Sequence, residues 1–305
     1  MIFKISKEIK FSHFYKKMNI FSLILIFLSL FIILFKGLNL GVDFKGGTLI
    51  EIRTDNSNIK ISEIRQSFLK MNLGDVTVKK FGKANDYLVK IEMTESNNEN
   101  FIKSINEKLS SDLGSNINFR RVENVGPKVS KELLKAGLLA ISLSLIAMLF
   151  YIWIRFEWQF SLGAIIALMH DVIITVGIFS FLSYEVNLSI VAAVLTIVGY
   201  SMNDTVVIFD RIRENLKKYS KIPISEISNT STNQTLSRTL ITSVTTLLAL
   251  FSIYIFGGAI LKGFSFAMII GVIIGTYSSI FVATPILNYT NVNQKTVLKD
   301  NTENG

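Results

Sequence analysis

Six long runs of this chain are almost free of charge, and no other feature limits its possible folds so strongly. Ile20–Phe35, Leu138–Ile154, Thr239–Leu261 and Gly263–Thr290 contain no ionisable side chain except tyrosine. Phe160–Leu182 contains only His170 and Asp171, and Leu188–Phe209 only Asp204. A helix crosses a bilayer core with about 20 largely apolar residues. The runs therefore read as six transmembrane helices, at 19–36, 133–154, 160–182, 187–209, 238–257 and 263–288, the first borrowing flanking residues. Half of the 305 residues are apolar and the mean hydropathy is +0.44, too oily for an ordinary soluble domain.

Lys and Arg in short loops mark the cytoplasmic side of a membrane. The segment 1–18 is basic, with Lys4, Lys7, Lys10, Lys16 and Lys17. No small-x-small cleavage site follows the first run, which reads as an uncleaved anchor rather than a signal peptide. With that segment inside, the Arg155–Trp158 link, the 210–237 loop (Arg211, Arg213, Lys217, Lys218, Lys221) and the tail 289–305 are inside too. The long segment 37–130 and the links at Ser183–Asn187 and Gly257–Gly258 are outside. Trp158 reads as an interfacial anchor. The formal charge of +9 does not point to nucleic acid, because many basic residues flank membrane segments. There is no cysteine and only two histidines, which leaves no disulfide and no zinc-ligand set. No nucleophile–His–acid set is evident either, so the expectation is a protein that is not an enzyme and has neither cofactor nor metal.

The outer segment has its own pattern. Thr48–Arg53, Val76–Phe81, Tyr87–Met93 and Ile117–Val122 read as strands. Ile61, Ile64, Phe68 and Met71, then Phe101, Ile105 and Leu109, recur at helical spacing. The order β-α-β-β-α-β is that of the split βαβ, or ferredoxin-like, motif. The expected fold is thus an α-helical membrane bundle of six helices with an α+β ferredoxin-like domain between helices 1 and 2. The glycine-rich Gly41–Thr48 lacks the Lys-Ser/Thr pair of a phosphate loop and reads as a tight turn. Gly126-Pro127 reads as a turn entering the second helix.

Helices in lipid associate largely through close packing of small residues. The last helix shows such a stripe at Gly263, Ala267, Gly271, Gly275, Ser279 and Ala283. In the third, Gly163, Ala167, Asp171 and Thr175 share one face, so the stripe runs into a carboxylate. A charge at bilayer centre costs about 2.5–3.5 kcal/mol even on the lenient insertion scale, and such groups mark ion and proton routes. Low dielectric disfavours an ionised acid, and a nearby guanidinium restores it. Asp204 and Arg238 are therefore candidate proton-relay residues, joined by Asp171 and His170, with Tyr200, Asn203, Thr205 and Thr242 packed near them. Arg238 stands at an expected helix end, from which it can also snorkel to the surface. His170 and Asp171 fit a structural pair as well as a proton route.

Several of these segments carry a family resemblance. Gly41-Val42-Asp43-Phe44-Lys45-Gly46-Gly47-Thr48, Val125-Gly126-Pro127, Arg155-Phe156-Glu157-Trp158, His170-Asp171, Gly199–Glu214, Asn233–Thr239 and Gly275–Ser279 are similar to the SecD/SecF family, on its SecF side, within the RND superfamily. The most specific is Tyr200-Ser201-Met202-Asn203-Asp204-Thr205 followed by Asp210-Arg211-Ile212-Arg213-Glu214. The resemblance covers about residues 19–288, and Met202 departs mildly from its pattern. It implies protein export: with SecD, and using the proton-motive force, such a chain completes preprotein translocation through the SecYEG channel. It implies a multi-pass protein of the bacterial inner membrane with both termini cytoplasmic and a periplasmic 37–130 domain. The implied partners are SecD, SecYEG, YajC, the exported preprotein and membrane lipid. It also ties the membrane Asp and Arg, here Asp204 and Arg238, to proton passage. Two other readings share the bundle: a subunit of an RND-type exporter of small molecules or lipids, and a proton-inert scaffold of the translocon.

Overall fold

The computed structural model describes residues 8–55, 59–80, 85–92 and 99–298. Lys4, Lys7, the expected strand ends Phe81 and Met93, and the tail from 299 lie outside the described residues. In chain order the elements are α1 (Tyr15–Lys36), β1 (Asn39–Leu40), α2 (Val42–Lys45), β2 (Gly47–Thr54), α3 (Ile61–Lys70), β3 (Val76–Lys80) and β4 (Asp86–Ile91). There follow α4 (Glu99–Leu113), β5 (Ile117–Val125), α5 (Pro127–Arg155), α6 (Trp158–Leu182), β6 (Glu185–Val186), α7 (Leu188–Lys218) and α8 (Ile224–Phe256). The chain continues through α9 (Gly258–Ser278), a π-helical turn (Ser279–Ala283), α10 (Thr284–Tyr289) and α11 (Gln294–Leu298).

Two units form. One comprises residues 40–138 and 185–188, the other residues 1–39, 139–184 and 189–305. In the first, a four-stranded sheet has the order β3-β4-β2-β5, with every neighbouring pair antiparallel. β2 alternates buried and half-buried residues, as a strand with one covered face must. Ile50, Ile52, Val76, Tyr87, Val89, Ile91 and Ile117 share a core with Ile64 and Phe68 of α3 and Ile105 and Leu109 of α4. At the other face Arg53 donates Nε and Nη2 to the two Asp86 oxygens at 2.6 and 2.7 Å. That hydrogen bonding raises the Arg53 pKa above its ordinary value.

The glycine-rich segment has a steric explanation. It is a one-turn helix, α2, entering the central strand rather than a simple turn. Gly46 and Gly47 have φ of 81° and 118°, which L side chains rarely adopt. A Cβ on Gly47 would also sit 2.5 Å from Ile91 O. The Glu185–Leu188 segment folds with this unit: Gly41 N donates to Val186 O at 2.8 Å, and Leu188 N to Asp43 Oδ2 at 2.9 Å.

The second unit holds the bundle. Among the described residues, six helices are long and apolar enough to cross a membrane, α9 to α10 serving as one. Half or more of the apolar stretch is buried in α6, α7 and the last span, against 11% in α1 and α5 and 17% in α8, so the first three form the centre. The helices outrun their apolar runs. The expected 210–237 loop is mostly helical, because α7 continues to Lys218 and α8 begins at Ile224. Polar side chains hold these extensions: Arg211 and Lys218 pair with Glu214 at 2.5 and 2.8 Å, and Asn215 donates to Ser231 and Gln234 at 2.8 and 3.0 Å. Arg238 therefore lies in the middle of α8 instead of opening a helix.

Candidate functional site

Small residues bring the central helices close. A Cβ on Gly163 of α6 would lie 2.8 Å from Ala283 O, and one on Gly275 would lie 2.9 Å from Ser201 Cβ. Gly271 packs as tightly on Ile197. The glycine stripe of α9 thus fits against α7, and hydroxyls beside it reach across. Asp171, on the buried face of α6 with Gly163, Ala167 and Thr175, is wholly enclosed. Its Oδ2 accepts from Ser201 Oγ of α7 at 2.5 Å and from Ser278 Oγ of α9 at 2.8 Å. Its Oδ1 lies 2.8 Å from His170 Nδ1. The His170 ring stacks on Tyr277 at 6.0 Å, and Tyr277 Oη bonds Ser22 Oγ and Met18 O of α1, each at 2.9 Å. His170 Nε2 is buried without a hydrogen-bond partner.

The π turn starts where these contacts end. Thr205 Oγ1 and Ser279 Oγ share a hydrogen bond at 2.8 Å, and Thr284 Oγ1 donates to Ser279 O at 2.8 Å. A π turn inside an α-helix commonly marks a functional position. Here it begins at the second of two consecutive serines, Ser278 and Ser279, that serve different partners.

Asp204, one turn along α7 from Ser201, is only 4% exposed. Ser243 of α8 and the Arg238 charge both act on its carboxylate, but Oδ2 has no hydrogen-bond partner. No ion pair joins Asp204 to Arg238, whose side chain is exposed. Ser243 also bonds Thr276 at 2.8 Å. Tyr200 donates to Thr246 at 3.3 Å, while Thr242 bonds back to Arg238 O and Thr239 O within its own helix. Asn203 is exposed on the outer side of α7. The structure therefore gathers His170 and Asp171 in one cluster and Asp204, with Arg238 acting from a distance, in another. Sequence reasoning did not assign Ser201, Ser243, Thr276 and Ser278 to the site. The signal for Ser278 was its position beside the glycine stripe. Among the described residues no His, Cys, Asp and Glu side chains converge as a metal would require.

Comparison with known proteins gives this bundle its context. The family model described as Protein export membrane protein SecD/SecF, C-terminal, matches residues 105–293, and that for the SecD/SecF GG Motif matches residues 31–57. Protein translocase subunit SecF of Vibrio alginolyticus is 45% identical over 286 residues, covering 93% of this chain and 90% of that protein. Its counterpart in Rickettsia bellii (strain OSU 85-389) is 44% identical over 283 residues, with 92% of each covered. A crystal structure of SecDF, a translocon-associated membrane protein from Thermus thermophilus, superposes with a TM-score of 0.85 at 32% identity over 96% of this chain. SecDF in a super-membrane-facing form superposes at 0.66 and 30% identity over the whole chain. This chain spans 40% of each of those two structures' chains.

The class is therefore a multi-pass membrane protein of protein export. Within that class, the chain belongs to the SecD/SecF family, on its SecF side.

Proposed function

We propose that the chain, paired with SecD, uses the proton-motive force to complete preprotein translocation through the SecYEG channel, with YajC as a further partner. Asp204 takes a proton from the outer side and releases it inward, and its charge state sets its attraction to Arg238. The carrying observation is the buried Asp204 oxygen that no donor occupies, in an otherwise uncharged apolar run and within reach of a guanidinium's field. A buried polar atom left unsatisfied calls for an explanation, and an exchangeable proton supplies one. One charge crossing 100 mV is worth about 2.3 kcal/mol, enough to reset a marginal helix contact.

The exposed side of this site supports the partnership. Asn203 and Arg238 are exposed within apolar helices, and Gly199 has open space where a Cβ would stand. Lipid is a poor neighbour for such groups, and the pseudo-symmetric SecD bundle is a suitable one. On this reading the protein lies in the bacterial inner membrane with both termini cytoplasmic. The 37–130 segment is periplasmic and ferredoxin-like, a reading supported by the β-α-β-β-α-β order and the antiparallel β3-β4-β2-β5 sheet. His170 and Asp171 support the relay from the neighbouring cluster. The test is Asp204→Asn in inverted vesicles carrying the partner subunits. Export is expected to lose its response to the proton gradient, and a wild-type response refutes the role.

A further inference from the structure

Sterics explain the glycines of the Gly41–Thr48 segment but not its acidic residue. Val42 and Phe44 are buried and fix the one-turn helix α2 in the unit that carries the sheet. At its C-terminal end, a Cβ on Gly46 would lie 3.2 Å from Val125 O of β5. Asp43 stands between these anchors, half-buried, and its carboxylate serves a different element. Leu188 N, the first amide of α7, donates to Asp43 Oδ2 at 2.9 Å. The first amides of a helix have no partner within it, so their acceptors must come from outside. The first turn of α7 holds no acidic residue of its own. Asp43 therefore brings a carboxylate to the positive end of that helix from 145 positions away. Other contacts join the same segments. Gly41 N donates to Val186 O at 2.8 Å, and a Cβ on Gly41 would stand 2.7 Å from Glu185 Oε1. From β4, Lys90 Nζ donates to Leu40 O at 3.1 Å. Residues 40–43 and 185–188 thus fold with the sheet, and α7 runs on from Ser189 into the bundle unit. Asp204 lies about 24 Å along the helix axis from Leu188.

We infer that Asp43 is a positioning residue that clamps the first turn of α7 to the sheet-bearing unit, so that a displacement of α7 at Asp204 reaches β2. This role rests on the export reading above and adds to it the residue through which the proton site acts on the sheet. Switching helices shift by about 1–2 Å. A helix held at its end passes such a shift on, whereas a free first turn frays and absorbs it. What the clamp needs is an acceptor oxygen at the first amide. Asn caps helices about as well as Asp, and Ala does not.

Export under a proton gradient is measured per folded complex, in inverted vesicles carrying the partner subunits. Asp43→Ala is expected to lower it about fivefold, the population shift that loss of a helix cap typically sets. Asp43→Asn is expected to stay within about twofold of wild type. The chain has no cysteine, so a disulfide can stand in for the clamp. A Cβ on Gly41 would lie 3.3 Å from Asn187 Cβ, close to the separation a disulfide spans. In the Gly41→Cys/Asn187→Cys chain, Asp43→Ala is expected to cost the same factor under a permeant reductant and nothing once the disulfide has formed. Wild-type export by Asp43→Ala overturns the assignment, as does a loss that Asp43→Asn shares or that the disulfide leaves in place. Asp204→Asn is run beside these variants. If it exports as wild type does while the Asp43 series behaves as expected, the proton reading fails and the clamp stands. If it loses export while Asp43→Ala keeps it, the clamp alone fails.

Discussion

Asp171 and Asp204 are both carboxylates on the central helices, both nearly inaccessible, and their surroundings are opposites. Asp171 has a partner for each oxygen, drawn from its own helix, α7 and α9. Asp204 keeps one oxygen empty and meets its nearest cation only through the field. On the proposed function, burial alone therefore does not assign the proton-carrying role to Asp204 rather than Asp171. What separates them is the degree of satisfaction. A carboxylate held by two hydroxyls and an imidazole links three helices, whereas on the proposed function the open oxygen of Asp204 takes up and gives back a proton without breaking a hydrogen bond.

The sharpest way to break this contrast is the pair of isosteric substitutions. Asp204→Asn removes the titrating group while leaving packing alone, so the gradient response of export should fall at least about tenfold, the equivalent of about 1.4 kcal/mol. The thermal unfolding midpoint in detergent should fall less than in Asp171→Asn, since no existing hydrogen bond at Oδ2 is broken. Asp171→Asn should do the reverse. Its carboxamide oxygen can keep Ser201 and Ser278, but an N–H donor then faces His170 Nδ1, so the imidazole loses its acceptor or must move its proton to the buried, unpartnered Nε2, at a cost of about 1–3 kcal/mol. The measurement is the unfolding midpoint against that of Asp204→Asn. If Asp171→Asn unfolds like wild type and loses the gradient response, the two roles are exchanged.

A smaller effect sharpens the geometric half of the argument. Gly275→Ala places a methyl 2.9 Å from Ser201 Cβ, and overpacking of this kind costs about 2 kcal/mol. The strain falls on the residue that donates to Asp171, so the loss should shrink in an Asp171→Asn background. Additive losses in the double mutant, measured by the same unfolding midpoints, would uncouple the stripe from the Asp171 cluster.

The same contrast explains what was legible beforehand. Asp204 stood out because it is the single charge in Leu188–Phe209, and the six helices stood out because apolar runs of that length have few other uses. The β-α-β-β-α-β order was readable because its strands alternate and its helices repeat every three to four residues. The helix ends at 210–218 and 224–237 were not readable from hydropathy. Their stability comes from pairs such as Asn215–Ser231, which fold polar sequence into helix. The partners of Asp171 were hidden for a different reason: Ser201 and Ser278 stand 30 and 107 positions away. Serine is common in membrane helices for plain packing, so only the fold singles these two out. The open oxygen of Asp204 is similarly invisible in sequence, because it depends on which hydroxyls fail to arrive.

Tyr277→Phe gives the smallest effect and tests whether the Asp171 cluster extends beyond its own residues. The ring stays stacked on His170, so the Asp171 cluster keeps its imidazole, but the hydroxyl's bonds to Ser22 and Met18 are lost. Ser22 then becomes a buried hydroxyl without that partner on a helix that buries little of its apolar length. The expected cost is about 1 kcal/mol, the net worth of a hydrogen bond of this kind, seen as a lower unfolding midpoint with an unchanged gradient response. Were the gradient response to fall while the midpoint held, the hydroxyl's link to α1 would belong to the working side. His170 and Asp171 would then have to be counted with Asp204, because the Tyr277 ring stacks on His170.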